Sequence, residues 1–440
     1  KCMIKWIKHR NIVFIDKRCK DRHFEQAKGF LKNIKSHKEF LNKKLPKQIP
    51  SYVVYDTVLK KTRNPQTLLS DKEWINSLAE YFSLYEQFSQ IIKKYNPDKV
   101  FVSHAWKTEF CTLIFSSLEK SIPVYHLTSF CESLRIKKIE EFKDFKLPVD
   151  HLSYKNYLKQ SDVVKEQMSI LGFEELKKRQ RGLINDINVL YAYGKTINIE
   201  TKKTLSNNNH RVLVAAHAWF DFPHSFGMKN FTDFLDFTKF TIGCAKRNKH
   251  IDWFFKPHPT EKWYGGFKLE DMMPKNYDNI FFMDNLNRKI KPISYFDTII
   301  TVHGTIALEA AKLNKVVICA DNSYFSDWPF VHSPNSKEAY KLTLDNIDKL
   351  ERKSTKNAKL AAACLYGSLG SPSNNTNRLV MNCDSTGINL VPQIIKSFTS
   401  QKNNILLEIS LLKNWFASNQ KHFSSDQVIR NIKEDLDVFN

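Results

Sequence analysis

Histidine stands at the end of four predicted strands in this 440-residue sequence. The four residues are His104, His217, His258 and His303. A single histidine in such a place is most often a packing or capping residue, but four at equivalent positions favour a function. Imidazole titrates near neutral pH, so it can exchange a proton or bind an anion. Because ligands bind at the carboxyl ends of parallel strands, we predict that these side chains surround a common cleft.

The segment WFFKPHPTE ends an apolar run with a cation and a histidine, each followed by proline. Pro257 and Pro259 bias the residues before them, Lys256 and His258, towards extended conformations, so the loop has little entropy to lose on binding. The ammonium group offers a point charge to phosphate, and the imidazole offers a second contact. We therefore predict that this loop stabilises a departing nucleotide phosphate, whose negative charge grows as the glycosyl bond breaks.

The segment HGTIALEAAK follows another predicted strand and begins a helix. Gly304 permits a close backbone approach, and Thr305 stands where the free N–H groups of the helix start can bind an anion. Glu309 can face the ligand and accept hydrogen bonds from ribose hydroxyl groups. The alternative is an ordinary strand–turn–helix unit with Glu309 on its surface.

A third loop, HAWFDFPHS, carries His217, Asp221 and His224. Their spacing could supply ligands to a metal ion, but Pro223 interrupts the helix that such spacing would need. The interleaved Trp and Phe side chains resemble a wall more than a cage of ligands. We therefore expect no metal at this loop.

Strand and helix patterns alternate in two parts of the chain, which predicts parallel βαβ units. In the first part we expect short buried strands at 11–16 and 52–56, a helix at 73–95 and a further strand at 98–104. The second part alternates over residues 211–320. The sequence therefore predicts an α/β protein with two doubly wound Rossmann-type domains facing a cleft, plus C-terminal helices.

Polar breaks in this pattern suggest the domain boundaries. Residues 1–200 are predicted to form the N-terminal Rossmann-like domain, with a helical excursion at 151–196. Residues 201–345 are predicted to form the second Rossmann-like domain, and 346–440 a helical extension.

The chain is strongly basic, with 68 Lys and Arg residues against 46 Asp and Glu residues and a formal net charge of +22. Such a surplus attracts polyanions, anionic lipids or phosphorylated substrates, although lysine-rich codon usage would produce it as well. No signature of a nucleic-acid reader accompanies the charge, so we expect no nucleic-acid partner. The eight cysteines form no C-x-x-C pair and no run approaches a membrane span. We therefore expect a cytoplasmic protein whose contact with the inner face of the membrane would be peripheral.

These segments resemble a known family. KPHP after one strand, followed by HGT and E-A-x-x-x-x-K-x-V-I around the next helix, looks like the capsule polysaccharide biosynthesis glycosyltransferases. These are bacterial surface-carbohydrate transferases of GT-B fold; they include Kdo transferases, and their His-Pro motif is shared with bacterial sialyltransferases. AHAWFDFPHSFG and DWPFVHSPNSKEAY also resemble that group. The resemblance covers about residues 98–127 and 211–345.

The resemblance implies a role for each matching residue in the second domain. Lys256 and His258 would bind the phosphate of a nucleotide-activated sugar donor, with Gly304 and Thr305 touching the same phosphate and Glu309 holding the ribose. His303 stands in the same motif, at a position where the sialyl and Kdo enzymes tend to have a small residue. The nucleotide-sugar would be a substrate, and no metal or other cofactor is expected.

The acceptor, a polysaccharide or glycolipid, would lie mainly against the N-terminal domain. The residues expected at the acceptor or in the cleft are His104, Glu109, His224 and Glu261. A base in the cleft would take the proton of the acceptor hydroxyl, and the candidates for it are Asp221, His217 and His104.

Several alternatives stay open from the sequence. CMP-activated acids such as CMP-Kdo fit the His-Pro motif best, whereas UDP-sugars, GDP-sugars and CDP-alditols are also compatible. A CDP-glycerol-type phosphotransferase would share the fold and the histidine-rich loops. A UDP-sugar 2-epimerase would act without an acceptor, and a scaffold of a capsule-assembly complex would have no activity.

Overall fold

The computed structural model describes residues 15–16, 18–127, 135–145, 152–180, 209–261, 265–283, 293–353, 356–369 and 402–424. Over these residues the chain forms two β-sheets with helices around them, which confirms the predicted α/β class. The predicted boundary at residue 200 lies outside the described residues. The boundary predicted at 345 coincides with the end of a helix.

Within the described residues, the N-terminal unit consists of five α-helices around one sheet. The helices are α1 (Asp21–Leu31), α2 (His37–Asn42), α3 (Tyr52–Thr62), α4 (Lys72–Tyr95) and α5 (Thr108–Leu118). Helix α4 confirms the predicted helix, and its apolar stripe faces the core because Trp74, Leu78 and Tyr81 recur at helical spacing and are fully buried.

The sheet of this unit is mixed, which differs from the parallel sheet expected. Its strands are β1 (Val100–Val102), β2 (Val124–Leu127), β3 (Arg135–Ile139) and β9 (His422–Ser424), in the order β1-β2-β3-β9. Strands β1 and β2 are parallel, whereas β3 is antiparallel to both β2 and β9. The connection from Leu127 to Arg135 is too short for a crossover helix, so an antiparallel pair results.

The C-terminal unit contains a five-stranded parallel sheet in the order β6-β5-β4-β7-β8. The strands are β4 (His210–Ala215), β5 (Ile251–Lys256), β6 (Ile280–Phe282), β7 (Thr298–Thr301) and β8 (Val316–Cys319). This order reverses between β4 and β7, which confirms a Rossmann-type sheet and places a ligand crevice at their carboxyl ends. The strands β7 and β8 are buried along their whole length, as expected of a sheet covered on both faces.

Helices cover this second sheet on both sides. They are α6 (Tyr154–Leu158), α7 (Asp162–Gln180), α8 (Phe234–Arg247), α9 (Ile306–Lys312), α10 (Lys337–Asp345) and α11 (Asn357–Leu369). Helix α12 (Lys402–Phe416) packs instead on the first sheet, where Phe416 contacts Phe101 and Tyr125. Helix α7, from the predicted excursion, packs tightly on α11, from the predicted extension. A Cβ atom at Gly172 would lie only 1.9 Å from the Ala362 carbonyl oxygen, so this crossing requires glycine.

The two units share one buried core. A single apolar cluster includes Val53 and Trp74 of the first unit together with Trp219 and Phe234 of the second. Polar bonds cross the same boundary, since the hydroxyl of Tyr55 donates to Asp233 Oδ2 at 2.6 Å. The C-terminal extension ties the units further, because β9 completes the first sheet while α11 packs on α7 and α9.

Two predicted strands have different outcomes. The segment YVVYD at 52–56 is the start of helix α3, so the strand prediction there is wrong. Its β-branched residues suggested a strand, but Val53, Val54 and Val58 pack into the core on helical spacing, and tertiary burial outweighs local propensity. Residues 11–14 of the other predicted strand lie outside the described residues.

None of the described helices combines the length and apolar character needed to cross a membrane.

Replacing Tyr55 by Phe tests the polar link between the units. The substitution leaves a buried Asp233 carboxylate oxygen without its donor, so we expect the free energy of unfolding to fall by about 1–3 kcal/mol. Urea denaturation followed by circular dichroism measures the change. Tyr95→Phe is the matched control, since Tyr95 is 45% exposed, and equal stability of the two variants would contradict the prediction.

Candidate functional site

Three of the predicted histidines lie together at the carboxyl edge of the parallel sheet. The ring of His217, after β4, is centred 5.5 Å from that of His303, after β7, and 6.5 Å from that of His258, after β5. These are the loops that flank the reversal of strand order, so the structure brings the three residues together as the sequence predicts.

His217 is fixed in one tautomer by the backbone beside it. Its Nε2 accepts hydrogen bonds from the N–H groups of Val302 at 3.3 Å and His303 at 3.1 Å. The proton of the neutral ring is therefore on Nδ1. Burial lowers the pKa of His217 well below its usual range, and the neighbouring histidines His303 and His258 lower it further. His217 thus enters the site as a neutral hydrogen-bond donor.

His303 lies among aromatic side chains. Phe226 is 4.7 Å and Phe234 is 5.4 Å from its ring, centre to centre. Its Nε2 atom is buried and has no hydrogen-bond partner among the described residues. Burial lowers the pKa of His303 to about 3, although a hydrogen bond to the backbone of Asn322 acts in the opposite direction. This histidine is neutral at physiological pH and cannot act as a cation towards phosphate.

His258 is oriented by its own loop. Its Nδ1 accepts from the backbone N–H of Thr260 at 3.3 Å and lies 2.7 Å from the Thr260 hydroxyl oxygen. The ring proton is therefore on Nε2, which can donate to an anion. Burial lowers the pKa of His258, while Asp221 raises it and Lys256 lowers it.

Lys256 is the last residue of β5, and its side chain is half-buried. Burial lowers its pKa, and no carboxylate in the described ranges offsets this effect. Within the described part of the chain, its ammonium group has neither an ion pair nor a hydrogen bond. A half-buried cation without a counter-charge is costly, so this position is suited to an anionic ligand.

Asp221 is exposed on the loop after β4, and its charge acts on one residue of each unit. Its charge raises the pKa of His258 on one side and that of Lys60, from α3, on the other. The ammonium of Lys60 lies 5.4 Å from the ring centre of Phe220 and 5.7 Å from that of Phe222. Lys60 is a basic residue of the cleft that sequence reasoning missed, because YVVYD was interpreted as a strand.

The start of α9 is tightly built. A Cβ atom at Gly304 would lie 2.7 Å from the Thr301 hydroxyl oxygen, so a larger residue would collide there. The Gly304 N–H already donates to the same hydroxyl at 3.2 Å. Thr305 is the N-cap residue of α9, but its side chain makes no capping hydrogen bond. Helix α9 is seven residues long.

Glu309 lies on α9 with only 6% of its surface exposed. Burial raises its pKa to about 7, although Arg179 of α7 and Lys312 act in the opposite direction. The structure therefore places this carboxyl group in the buried layer beside α7, and not on the surface as the alternative interpretation had it.

His224 and Glu261 have partners within the protein. His224 Nδ1 lies 2.6 Å from Asp56 Oδ1, and its Nε2 lies 3.0 Å from the Thr232 carbonyl oxygen. Glu261 accepts from the Leu269 N–H at 3.0 Å and so holds its own loop. No group of three His, Cys, Asp or Glu side chains in the described residues could hold a metal ion.

The N-terminal unit contributes a second group of rings. His104 follows β1, and its ring centre lies 5.3 Å from that of Trp106. Trp106 lies 6.3 Å from Phe222 of the other unit, so this group faces the boundary between the units. Glu109 is half-buried at the start of α5.

Sequence reasoning missed His126, on β2. Its ring lies 6.0 Å from Trp106, it is fully buried, and neither ring nitrogen has a partner among the described residues. Burial lowers its pKa to about 3, with Lys137 and His104 adding to the effect. The sequence feature that could have identified His126 is a single polar residue in the apolar strand IPVYHL. A lone histidine in such a strand is usually interpreted as a packing residue.

No protein-family model matches this chain, and no curated protein matches it. Among solved structures, it is similar to the KpsC beta Kdo 2,4 transferase of Thermosulfurimonas dismutans, with 15% identity over 60% of this chain and 78% of that one, at a TM-score of 0.38. The KpsC beta Kdo 2,7 transferase of the same organism shares 16% identity over 63% of this chain and 80% of that one, at a TM-score of 0.32.

A UDP-GlcNAc 2-epimerase of Methanocaldococcus jannaschii, solved with UDP-GlcNAc and UDP, shares 13% identity over 71% of this chain and 94% of that one, at a TM-score of 0.31. All three TM-scores are below 0.5.

The buried Glu309 predicts a pH-dependent stability. Its native pKa of about 7 exceeds the ordinary value of 4.5, so the folded state holds the proton more tightly. The contribution of Glu309 to stability should therefore fall as pH rises through this window, by about 3 kcal/mol in total, and then level off. Glu309→Gln should remove that loss, which urea denaturation at pH 5 and pH 8 would detect.

The control for this experiment is Glu338→Gln, because Glu338 is exposed on α10. The difference in unfolding free energy between Glu309→Gln and the natural protein should grow with pH, whereas Glu338→Gln should show no such trend. A constant difference for Glu309→Gln would show that its carboxyl group keeps an ordinary pKa.

Proposed function

We propose that this protein is a glycosyltransferase that moves a sugar from a nucleotide-activated donor to a surface or capsular polysaccharide or a glycolipid. The observation that carries the proposal is the pairing of Lys256 and His258 at the end of β5. Among the described residues, Lys256 is a half-buried cation without a counter-charge, and His258 presents an Nε2–H donor beside it. A nucleotide phosphate would supply the missing negative charge.

The donor would lie over the carboxyl edge of the parallel sheet. Lys256 and His258 would hold its phosphate, with Gly304 and Thr305 forming the floor next to it. His217 would add an Nδ1–H donor, because its Nε2 is engaged by the backbone. Among donors we favour CMP-activated acids of the Kdo or sialic acid type. His303 would contribute packing, since it is neutral and enclosed by aromatic rings.

The favoured base is Asp221. A base must have a free lone pair, and the lone pair of His217 is already bonded to the backbone. Asp221 is exposed, carries a carboxylate and lies close enough to His258 to influence its pKa. The acceptor oxygen would attack the anomeric carbon, its proton would pass to Asp221, and the anomeric carbon–oxygen bond to phosphate would break. The electron pair would leave with the nucleotide, where Lys256 and His258 stabilise it.

The acceptor would lie against the N-terminal unit. His104 and Glu109 remain the predicted contacts; His126 lies behind them, where Trp106 separates the fully buried imidazole from His104. We leave His224 out of this proposed site because both of its nitrogens are bonded within the protein. We expect the reaction to take place in the cytoplasm, at the inner face of the membrane.

Nucleotide binding tests the proposal. We would titrate CMP, CDP, UDP and GDP into the protein by calorimetry, and repeat this with Lys256→Met and His258→Ala. One nucleotide class should bind, and each substitution should weaken it by about tenfold or more, because a charge-assisted bond to phosphate is lost. Lys275→Ala, at an exposed lysine of the same unit, is the control for general charge.

Two outcomes would count against this function. If no nucleotide binds the folded protein, the loop KPHP is a structural turn and the transferase proposal fails. If a UDP-sugar is turned over without any acceptor, the protein is an epimerase and the acceptor site of the N-terminal unit has no role in catalysis.

A further inference from the structure

Two adjoining cavities lie on the N-terminal unit and share Lys47. The first, of about 530 Å³, lies between α1, α4 and residues 46–47. The second, of about 620 Å³, lies between residues 47–48, the end of α5 and Phe142. They meet at Lys47, and we name the two cavities together the Lys47 groove.

The Lys47 groove is remote from the proposed active site. Leu118, Glu119 and Lys120, which line its second cavity, follow α5 and precede β2. They therefore lie towards the amino end of β2, whereas the histidines of the candidate site follow the carboxyl ends of strands. A ligand in this groove would not compete with a nucleotide at Lys256.

The walls of the groove are aromatic. Phe82 and Tyr85, three residues apart on α4, line the first cavity with partly exposed rings, and the buried Tyr81 lies behind them. Phe142, which is 42% exposed, lines the second. Flat apolar faces of this kind pack against the C–H face of a sugar ring, and an aromatic side chain loses little entropy on doing so.

The charges of the groove are mixed, with an excess of cations. Arg22, Lys47, Lys93 and Lys120 line it, against Glu86 and Glu119. Arg22 pairs with Glu86, and Lys47 lies 3.2 Å from Glu119. Cations match carboxylates on a ligand, whereas the two glutamates match hydroxyl groups, which donate hydrogen bonds.

The backbone holds Lys47 in the groove by an unusual conformation. Lys47 and Gln48 both have positive φ, of 66° and 65°, which non-glycine residues rarely adopt. The Tyr81 hydroxyl donates to the Pro46 carbonyl oxygen at 2.7 Å, and the Leu45 N–H donates to the Ile49 carbonyl oxygen at 2.9 Å. These bonds fix the turn, so the ammonium of Lys47 stands 5.9 Å from the ring centre of Tyr85.

We propose that the Lys47 groove is a second carbohydrate site, which binds a segment of an acidic oligosaccharide. The proposal rests on the proposed function, because the natural ligand would be an earlier segment of the polysaccharide that the cleft extends. A flat anionic membrane fits less well, since lipid phosphates accept hydrogen bonds and would meet the carboxylates of Glu86 and Glu119 unfavourably. Sugar rings with carboxylates and hydroxyls satisfy the rings, cations and glutamates together.

Binding of defined oligosaccharides to the full chain tests the proposal. The probes are hexamers of galacturonic acid and of sialic acid, and the fully methyl-esterified galacturonic acid hexamer as a neutral match. By calorimetry, at least one acidic hexamer should bind, its affinity should fall with added salt, and the neutral hexamer should bind about tenfold more weakly.

Substitutions then locate the binding. Lys47→Gln and Tyr85→Ala should each weaken the acidic hexamer about tenfold, whereas Tyr85→Phe keeps the ring and should bind nearly normally. Lys353→Ala and Tyr95→Ala are matched controls, since both residues are exposed and outside the groove. Lys47→Gln retains the aromatic wall, so it tests the groove even if Tyr85→Ala fails to fold.

The experiment separates this proposal from the nucleotide site. His258→Ala should leave hexamer binding unchanged, and Lys47→Gln should leave nucleotide binding unchanged. The proposal is overturned if neither acidic hexamer binds, or if Lys47→Gln and Tyr85→Ala bind like the controls. It is also overturned if Lys47→Gln instead abolishes binding to phosphatidylglycerol vesicles and leaves the hexamers unaffected, because the groove would then be a lipid site.

Discussion

The hydrogen bond between Asp56 and His224 joins the two units of the protein at a point from which water is excluded. Burial raises the pKa of Asp56, and although burial opposes a charged imidazole, the carboxylate outweighs it and raises the pKa of His224. Removing one partner of such a buried pair usually costs about 3–5 kcal/mol, because the other is left uncompensated. The pair therefore fixes helix α3 against the loop after β4, which also carries Asp221.

This constraint decides how the two halves of the cleft meet. With α3 held in place, Lys60 lies near Asp221, and Asp221 in turn lies near His258. Neighbouring ionisable side chains thus connect the N-terminal unit with the loop that we propose holds the donor phosphate. His224, which is part of the same loop as Asp221, positions that loop and has no nitrogen left for a ligand.

The described lysines differ in whether their charge is exposed or paired, or is half-buried without an ion pair. Most described lysines are exposed or paired with carboxylates, such as Lys61 with Glu80 and Lys337 with Asp236. Exposed pairs of this kind contribute little stability. Lys256 differs because it is half-buried and its charge is not offset within the described chain. A buried charge of this kind is costly, so the end of β5 is suited to an anionic ligand.

The sequence by itself determined the parallel sheet and the residues at its edge. Short apolar runs such as VVICA and IDWFFK, bounded by polar turns, predict buried strands from local sequence alone. Strands of a sheet that is covered on both faces are apolar along their whole length, so the pattern does not depend on distant residues. The positions of His217, His258 and His303 after such strands follow directly, and the structure brings these rings together.

Tertiary structure decided the properties that depend on distant neighbours. It made YVVYD a helix, because burial on helical spacing outweighed local β-propensity. It paired His224 with Asp56, whereas His126 has no hydrogen-bond partner among the described residues, although the sequence alone does not distinguish the two histidines. Protonation, burial and hydrogen bonding of a side chain depend on residues far away in the chain, so pattern and spacing could name the candidates but only the fold could separate their roles.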